Sequence, residues 1–292
     1  MNILITGGTG FIGENLIREL IDNHEVFLLV RPNSDWSKLG LKHIFEFNDN
    51  IEQLTDYLIK FNIDGIIHLA SLYLAQHEAK DIKELVLSNI YLGTALLEAT
   101  KTAKTKWFIN TGTFWQNFLP NSNEYCPVNL YAGTKQAFID LAKFYTEISD
   151  IKFVTLKLCD TFGPKDSRPK ILNLFKRISE TQEILGMSLG DQQLDILYID
   201  DVVAGFICLV NNLEEDVLLD SEYVLCAKKR FTLKELAEVY SQVSGKKLNI
   251  DWGGRTYRNR EVMQVWNKGK VLPNWKPIYD IEAGIKLFLK NE

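Results

Sequence analysis

The chain has 292 residues, 46% of them hydrophobic and 24% charged, which is enough to bury a full core in one large domain or one and a half. A net charge of -5 and a pI near 5.6 give no electrostatic case for nucleic acid or an anionic membrane, so any anionic ligand must be met by local groups. Four cysteines, at 126, 159, 208 and 226, stand far apart with no CxxC pair, and the four histidines form no ligand-spaced cluster, which argues against a disulfide framework or a metal. The N-terminus opens on a strand where a signal peptide would need a basic region, and no apolar run has the length to span a bilayer, so the expectation is a cytoplasmic protein.

The first element is the short β-branched run Asn2-Ile-Leu-Ile-Thr6, which stops at Gly7-Gly-Thr-Gly-Phe-Ile-Gly13. A helical pattern follows, with Phe11, Ile12, Leu16, Ile17, Leu20 and Ile21 on one side. Strand, glycine turn and helix in that order let backbone N–H groups approach a pyrophosphate at a helix N-terminus, where the dipole favours negative charge. The second strand, Glu25-Val-Phe-Leu-Leu-Val30, ends at Arg31. An acidic residue there would hold a ribose 2′-hydroxyl, whereas an arginine accommodates a 2′-phosphate. Asp35 is the acidic rival, but it follows Pro32 in a polar loop, where Asn33 and Ser34 also stand.

Segments His43–Asn48 and Asp64–Ser71 read as strands three and four, with a helix over about residues 51 to 61 between them, and Lys106–Thr111 reads as strand five. The alternation predicts a doubly wound parallel sheet with ligands at the strands' carboxyl ends. His68, lone in an apolar strand, reads as a core histidine before it reads as catalytic. Apolar residues beyond what one sheet face needs, among them Leu85, Leu92, Leu96, Phe138 and Phe144, fall on helices expected over about 80 to 103 and 131 to 147. In the second of these, Tyr131-Ala-Gly-Thr-Lys135 sets a phenol and an ammonium one turn apart. A nearby cation is expected to lower the phenol's pKa and let it exchange a proton with a substrate oxygen. The spacing is weak alone, since a chance Tyr and Lys on an amphipathic helix would give it.

Taken together, Thr6-Gly-Gly-Thr-Gly-Phe-Ile-Gly13, His68-Leu-Ala-Ser71, Asn89 with Gly93-Thr94, Thr113, Tyr131 to Lys135, Gly163-Pro164, Tyr198-Ile-Asp-Asp-Val202, and Trp275-Lys-Pro277 with Glu282-Ala-Gly284 resemble the extended short-chain dehydrogenase/reductase family that acts on nucleotide sugars. The resemblance implies an α/β fold: a doubly wound parallel Rossmann sheet with a smaller mixed α/β C-terminal substrate lobe. It divides the chain into residues 1–163 plus about 196–215 for cofactor, and about 164–195 and 216–292 for the nucleotide sugar. It implies Thr113, Tyr131 and Lys135 as catalytic residues, with Lys135 also on the nicotinamide ribose. It further implies cofactor contacts at Gly7, Gly10, Phe11, Ile12, Gly13, Arg31, Asn33, Ser34, Asn48, Leu69, Ala70 and Ser71. Substrate contacts are implied at Thr113, Phe114, Trp115, Asp160, Arg168 and Arg260, with Arg258 as a possible assistant, and pairing of the two helices implies a homodimer.

Three departures from the family pattern bear on the reaction. Thr113 is followed by Phe114-Trp115-Gln116 where the 4,6-dehydratases carry Asp-Glu, which disfavours dehydration. Leu194 stands where relatives use an arginine on the nucleotide, and Asp160 stands where many carry asparagine. Phe108–Trp115, Pro127–Tyr131 and Met187–Gln192 look most like the branch making CDP-abequose and related deoxysugars. The expectation is therefore NADP(H)-dependent reduction of a 4-keto nucleotide sugar for surface polysaccharide such as lipopolysaccharide O-antigen. A 4-epimerase with retained NAD and a non-catalytic NADP-sensing regulator are the alternatives; Arg31 speaks against the first and the intact trio against the second.

Overall fold

The computed structural model describes residues 1–217 and 219–290. In chain order the elements are β1 (Asn2–Thr6), α1 (Phe11–Leu20), β2 (Glu25–Val30), β3 (His43–Glu46), α2 (Ile51–Lys60), β4 (Gly65–His68), α3 (Ile82–Val86), α4 (Leu92–Ala103), β5 (Trp107–Thr113), α5 (Leu130–Ile148) and β6 (Lys152–Leu158). There follow β7 (Asp160–Phe162), α6 (Ile171–Thr181), β8 (Leu185–Met187), β9 (Gln193–Leu194), β10 (Ile196–Tyr198), α7 (Ile199–Glu214) and β11 (Glu222–Leu225). The chain closes with β12 (Phe231–Thr232), α8 (Leu233–Ser244), β13 (Ile250–Trp252) and α9 (Ile281–Lys290).

Seven strands form one sheet in the order β11-β6-β5-β4-β1-β2-β3, and every pairing in it is parallel. Strands of this sheet read as near-continuous apolar runs because both faces are covered. Alternation then sorts the side chains. Ile3, Ile5, Val26, Leu28, Ile67 and Ile109 join Leu16, Ile17 and Leu20 of α1 and Val203, Phe206 and Val210 of α7 in one core. Leu4, Phe27, Leu29, Ile66 and Phe108 point the other way, onto Leu54 and Leu58 of α2, Leu96 of α4 and Phe138 of α5. Each such side chain contributes about 1.5–3 kcal/mol by leaving water. The doubly wound fold expected from the strand–helix alternation is present. The seventh strand, β11, comes from the stretch that the resemblance gave to the smaller lobe; position 218 and positions 291–292 of that stretch lie outside the described residues.

The helix expected over 80 to 103 is not one regular helix. Leu87–Tyr91 between α3 and α4 is a π-helical turn, a form common at functional sites, and it carries the fully buried Asn89. Four of the five apolar residues singled out on these helices, Leu85, Leu92, Leu96 and Phe138, are buried inside the chain's own core. Ile82, Val86 and Leu87, with Leu141, Phe144 and Ile148 of α5, are the large apolar residues that these segments leave exposed.

His68 ends β4 with no exposed surface, packed against Phe108 and Phe138, its Nδ1 2.8 Å from the Thr6 hydroxyl. Burial, then the nearby Lys135 ammonium, pushes its pKa down to about 3. Between about pH 3 and 6.5 the unfolded chain therefore binds a proton that the folded chain does not, so stability rises with pH across that window and is lost as pH falls through it. Denaturant unfolding from pH 6.5 to 4.5 is expected to show a loss of about 2 kcal/mol in the wild type that a His68→Asn variant lacks. Parallel slopes for the two proteins would refute the neutral core histidine.

Candidate active site

All seven strands of the main sheet end at one edge, and the residues with chemistry collect there. Gly7 leaves β1 with a φ of 71°, and a Cβ on it would lie 2.6 Å from the backbone nitrogen of Ala70 beyond β4. A Cβ on Gly13 would lie 2.4 Å from the carbonyl oxygen of Gly7, so the helix packs directly on the turn. Gly10 is the N-cap of α1 and no side chain caps it, which leaves the N–H groups of Phe11, Ile12 and Gly13 without helical partners. Leu69 and Ala70 donate their N–H groups to Thr6, at 3.1 Å each, so the ends of β1 and β4 stay in contact. The result is a cradle of free donors at a helix N-terminus, which fits a pyrophosphate.

Arg31 follows β2 and is exposed, and among the described residues its guanidinium has no partner. Asn33 takes a φ of 64° and the N–H of Ser34 donates to the Arg31 carbonyl at 3.2 Å, which turns the chain back beneath it. Asp35 is occupied: its carboxylate accepts from the Ser37 hydroxyl at 2.7 Å and the Ser37 N–H at 3.1 Å. Asn48 lies exposed just past β3.

Thr113 closes β5 and Tyr131 opens α5, whose N-cap Asn129 accepts from the Ala132 N–H at 3.0 Å. The Thr113 hydroxyl oxygen accepts from the Trp115 N–H at 3.3 Å, which leaves its proton free to donate. Gln116, fully buried, accepts from the Thr113 N–H at 2.9 Å and donates to Gln136 of α5 at 2.8 Å. An amide therefore fastens the strand end to the helix. Lys135 is 1% exposed, and among the described residues its ammonium has no hydrogen-bond partner. A buried cation left alone in this way fits a polar ligand entering the cleft.

Two charge states differ from what the Tyr131–Lys135 spacing suggests. Burial pushes the Tyr131 phenol up to about 12, with the Ser71 hydroxyl and the Lys170 ammonium pulling the other way. Burial also pushes Lys135 down to about 8. Desolvation outweighs the neighbouring cation here, so Tyr131 is firmly protonated at neutral pH.

Asn89 positions the cleft's third wall. Its side-chain oxygen accepts from the Leu72 N–H at 2.8 Å and the Ser71 hydroxyl at 3.1 Å, and its amide donates to the Leu72 carbonyl and to Thr134 of α5. This holds Tyr73 edge-on to Tyr131, ring centroids 5.1 Å apart, and 5.6 Å from the Trp115 ring. Asp160 is paired with Lys170 at 2.9 Å, and the Lys170 ammonium sits 4.2 Å from the Tyr73 centroid. Tyr73 and Lys170 escaped the sequence reading because neither stands in a motif.

Three residues expected to contact substrate have partners within the protein. Phe114 is buried edge-on against Trp266, 5.8 Å away, in a small core of its own. Arg168 is spent on Asp166, at 2.7 and 2.8 Å, and on Thr161, and it covers the Phe11 ring. Arg260 turns to Cys126 and the Phe118 ring, whereas Arg258 lies 5.9 Å from the Trp115 ring and is the arginine nearer the cleft. Leu194 pairs with Phe231, and the adjacent Asp195 is held at 3.0 Å by Arg230, which also donates to the carbonyls of Val265 and Trp266. Among the described residues no group of His, Cys, Asp and Glu is arranged to hold a metal, and no helix is long and apolar enough to cross a membrane.

The chain is 28% identical over 291 residues to the CDP-abequose synthase of Salmonella muenchen, covering 98% of this chain and 96% of that one. It is 30% identical over 266 residues to the CDP-abequose synthase of Yersinia pseudotuberculosis, covering 90% and 91%. Its fold superposes with a TM-score of 0.86, at 18% identity and over 99% and 97% of the two chains, on a UDP-glucose 4-epimerase from Stenotrophomonas maltophila solved with bound NAD and a formylated UDP-arabinopyranose. Residues 3–222 match the model of the NAD dependent epimerase/dehydratase family, and the chain belongs to that family.

Proposed function

We propose that the protein is a cytoplasmic, NADPH-dependent reductase of the 4-keto group of a CDP- or dTDP-4-dehydro-deoxyhexose, serving deoxysugar synthesis for surface polysaccharide. The observation that carries this reading lies at the end of β2, where Arg31 stands exposed with no partner among the described residues while Asp35 is bound to Ser37. Phe11, Ile12 and Gly13 would hold the pyrophosphate of the cofactor and Arg31 its 2′-phosphate. When bound, the nicotinamide supplies the hydride for sugar carbon 4. Tyr131, protonated at neutral pH, gives its proton to the carbonyl oxygen, which Thr113 orients through its free hydroxyl proton. Lys135 stabilises the phenolate that remains. The similarity to CDP-abequose synthases over nearly the whole chain supports the substrate class. A 4-epimerase using the same trio is favoured by one observation, the likeness to an epimerase fold that holds NAD, and opposed by Arg31.

Tyr131→Phe is expected to lower turnover by about 10²–10⁴-fold with cofactor binding intact, whereas Lys135→Met harms both. A Phe variant that keeps a tenth of the wild-type rate in an NADPH-absorbance assay on 4-keto nucleotide sugars would remove Tyr131 from the mechanism.

Charge-assisted hydrogen bonds to the 2′-phosphate are worth roughly 1.5–3 kcal/mol each, so Arg31→Ala is expected to weaken NADPH about 10- to 100-fold and NADH little. Titration with both cofactors is the measurement; equal affinities in the wild type, or NAD retained through purification, would favour the epimerase.

The exposed apolar residues on α3, the π turn and α5, with Phe144 at 59% exposure, support a homodimer built on these helices. Light scattering at micromolar concentration is expected to give a dimer for the wild type and a monomer for Phe144→Asp. A monomeric wild type excludes the assembly.

A further inference from the structure

Strand β5 outruns its neighbour β4. The two pair from Gly65 with Trp107 to His68 with Asn110, so from Thr111 to Thr113 β6 is the one strand beside β5 among the described residues. Side chains add a second hold at the tip. The Gln116 oxygen accepts from the Thr113 N–H at 2.9 Å, and the Gln116 amide donates to the Gln136 oxygen at 2.8 Å. The Gln136 amide donates in turn to the Asp140 carboxylate at 3.2 Å, which also accepts from Lys143 at 3.0 Å. Gln116 is fully buried, Gln136 half-buried and Asp140 exposed on α5. A carboxylate accepts and cannot donate, so Asp140 sets the direction in which both amides stand. Turning either amide round would set oxygen against oxygen or N–H against N–H.

We propose that Gln116, Gln136 and Asp140 form a one-way chain of positioning residues that holds Thr113 for the reaction, its direction set from the exposed face of α5. In the reading above, on which this rests, the Thr113 hydroxyl donates to the substrate's carbonyl oxygen. That hydroxyl accepts from the Trp115 N–H at 3.3 Å, and Trp115 and Gln116 belong to the single turn Phe114–Gln116. Both holds on Thr113, at its N–H and at its hydroxyl, come from that turn, so a shift of the Gln116 amide moves the hydroxyl with it.

Gln136→Leu breaks the chain at a half-buried site. In the NADPH assay on 4-keto nucleotide sugars, with the full chain, it is expected to lower kcat by about 10- to 100-fold and to move KM by less than about twofold, the scale of a misplaced reacting group. In a Thr113→Val background the same substitution is expected to add no further loss, because the chain acts through Thr113. Gln116→Glu keeps the shape but changes the direction: protonated, the carboxyl imitates the amide, and ionised, it turns oxygen toward the Gln136 oxygen. Its kcat relative to the wild type is expected to fall as pH rises from about 6 to 9, the range in which a buried glutamate titrates. Adding Asp140→Asn lets Gln136 turn round, and is expected to restore the loss at the upper end of that range. An unchanged kcat in Gln136→Leu, an equal loss with and without the Thr113 hydroxyl, or a double variant no faster than Gln116→Glu would overturn the chain while the reductase stands. A Thr113→Val enzyme as fast as the wild type, or a wild type that reduces none of these sugars, removes the reading above and the role of the chain with it.

Discussion

The constraint on which the molecule depends is the parallel ladder. Antiparallel neighbours would send alternate strand ends to opposite edges, but six parallel pairings bring Gly7, Arg31, Asn48, His68, Thr113 and Cys159 out at one edge. Parallel strands need a crossover between them, and the crossovers here cover both faces, so the strands are apolar throughout and the polar chemistry is left to their ends. The donor cradle at the start of α1 and the phenol of Tyr131 are therefore products of one topology.

Buried amides then convert that edge into a cleft of fixed shape. Buried Asn89, Gln116 and Asn117 and half-buried Asn129 each join two segments distant in sequence, and an amide taken from water must satisfy both its oxygen and its nitrogen, so each acts as a two-sided clamp. Lys157 does the same with charge, joining Asn117 at 2.9 Å and Glu222 at 2.8 Å and lying 4.8 Å from the Trp266 ring. The π turn follows from the same requirement. One extra residue in the helix aims Asn89 inward at the loop carrying Tyr73, and losing a regular helical bond is offset by four side-chain hydrogen bonds.

Burial also sets the protonation states of the cleft. Tyr131 and Lys135 are both displaced toward their neutral forms, the phenol upward and the ammonium downward, because each loses more from leaving water than it gains from its neighbours. The proposed role of Tyr131 as proton donor draws on this: the phenol is protonated at neutral pH, and the Lys135 ammonium has no hydrogen-bond partner among the described residues.

What the sequence by itself determined were the features that repeat at short range. The β1–glycine–α1 unit, β2 with Arg31 behind it, Thr113 at the end of β5 and the Tyr131–Lys135 spacing on α5 follow from periodicity and local backbone demands, and each lies where those demands put it. Tertiary structure decided what depends on residues far apart in the chain. Phe114 turns into a core because Trp266, some 150 positions later, supplies its partner; Arg168 is paired with Asp166 and Thr161; Arg258 lies by Trp115 while Arg260 turns to Cys126. Tyr73 and Lys170 carry no local signal, and they meet only because the chain beyond β4 and β7 returns to the start of α5. The sign of the Tyr131 shift belongs here too. Spacing measures the distance to Lys135 along one helix, but desolvation is a sum over every element that closes the cleft, and that sum exists only in the folded chain.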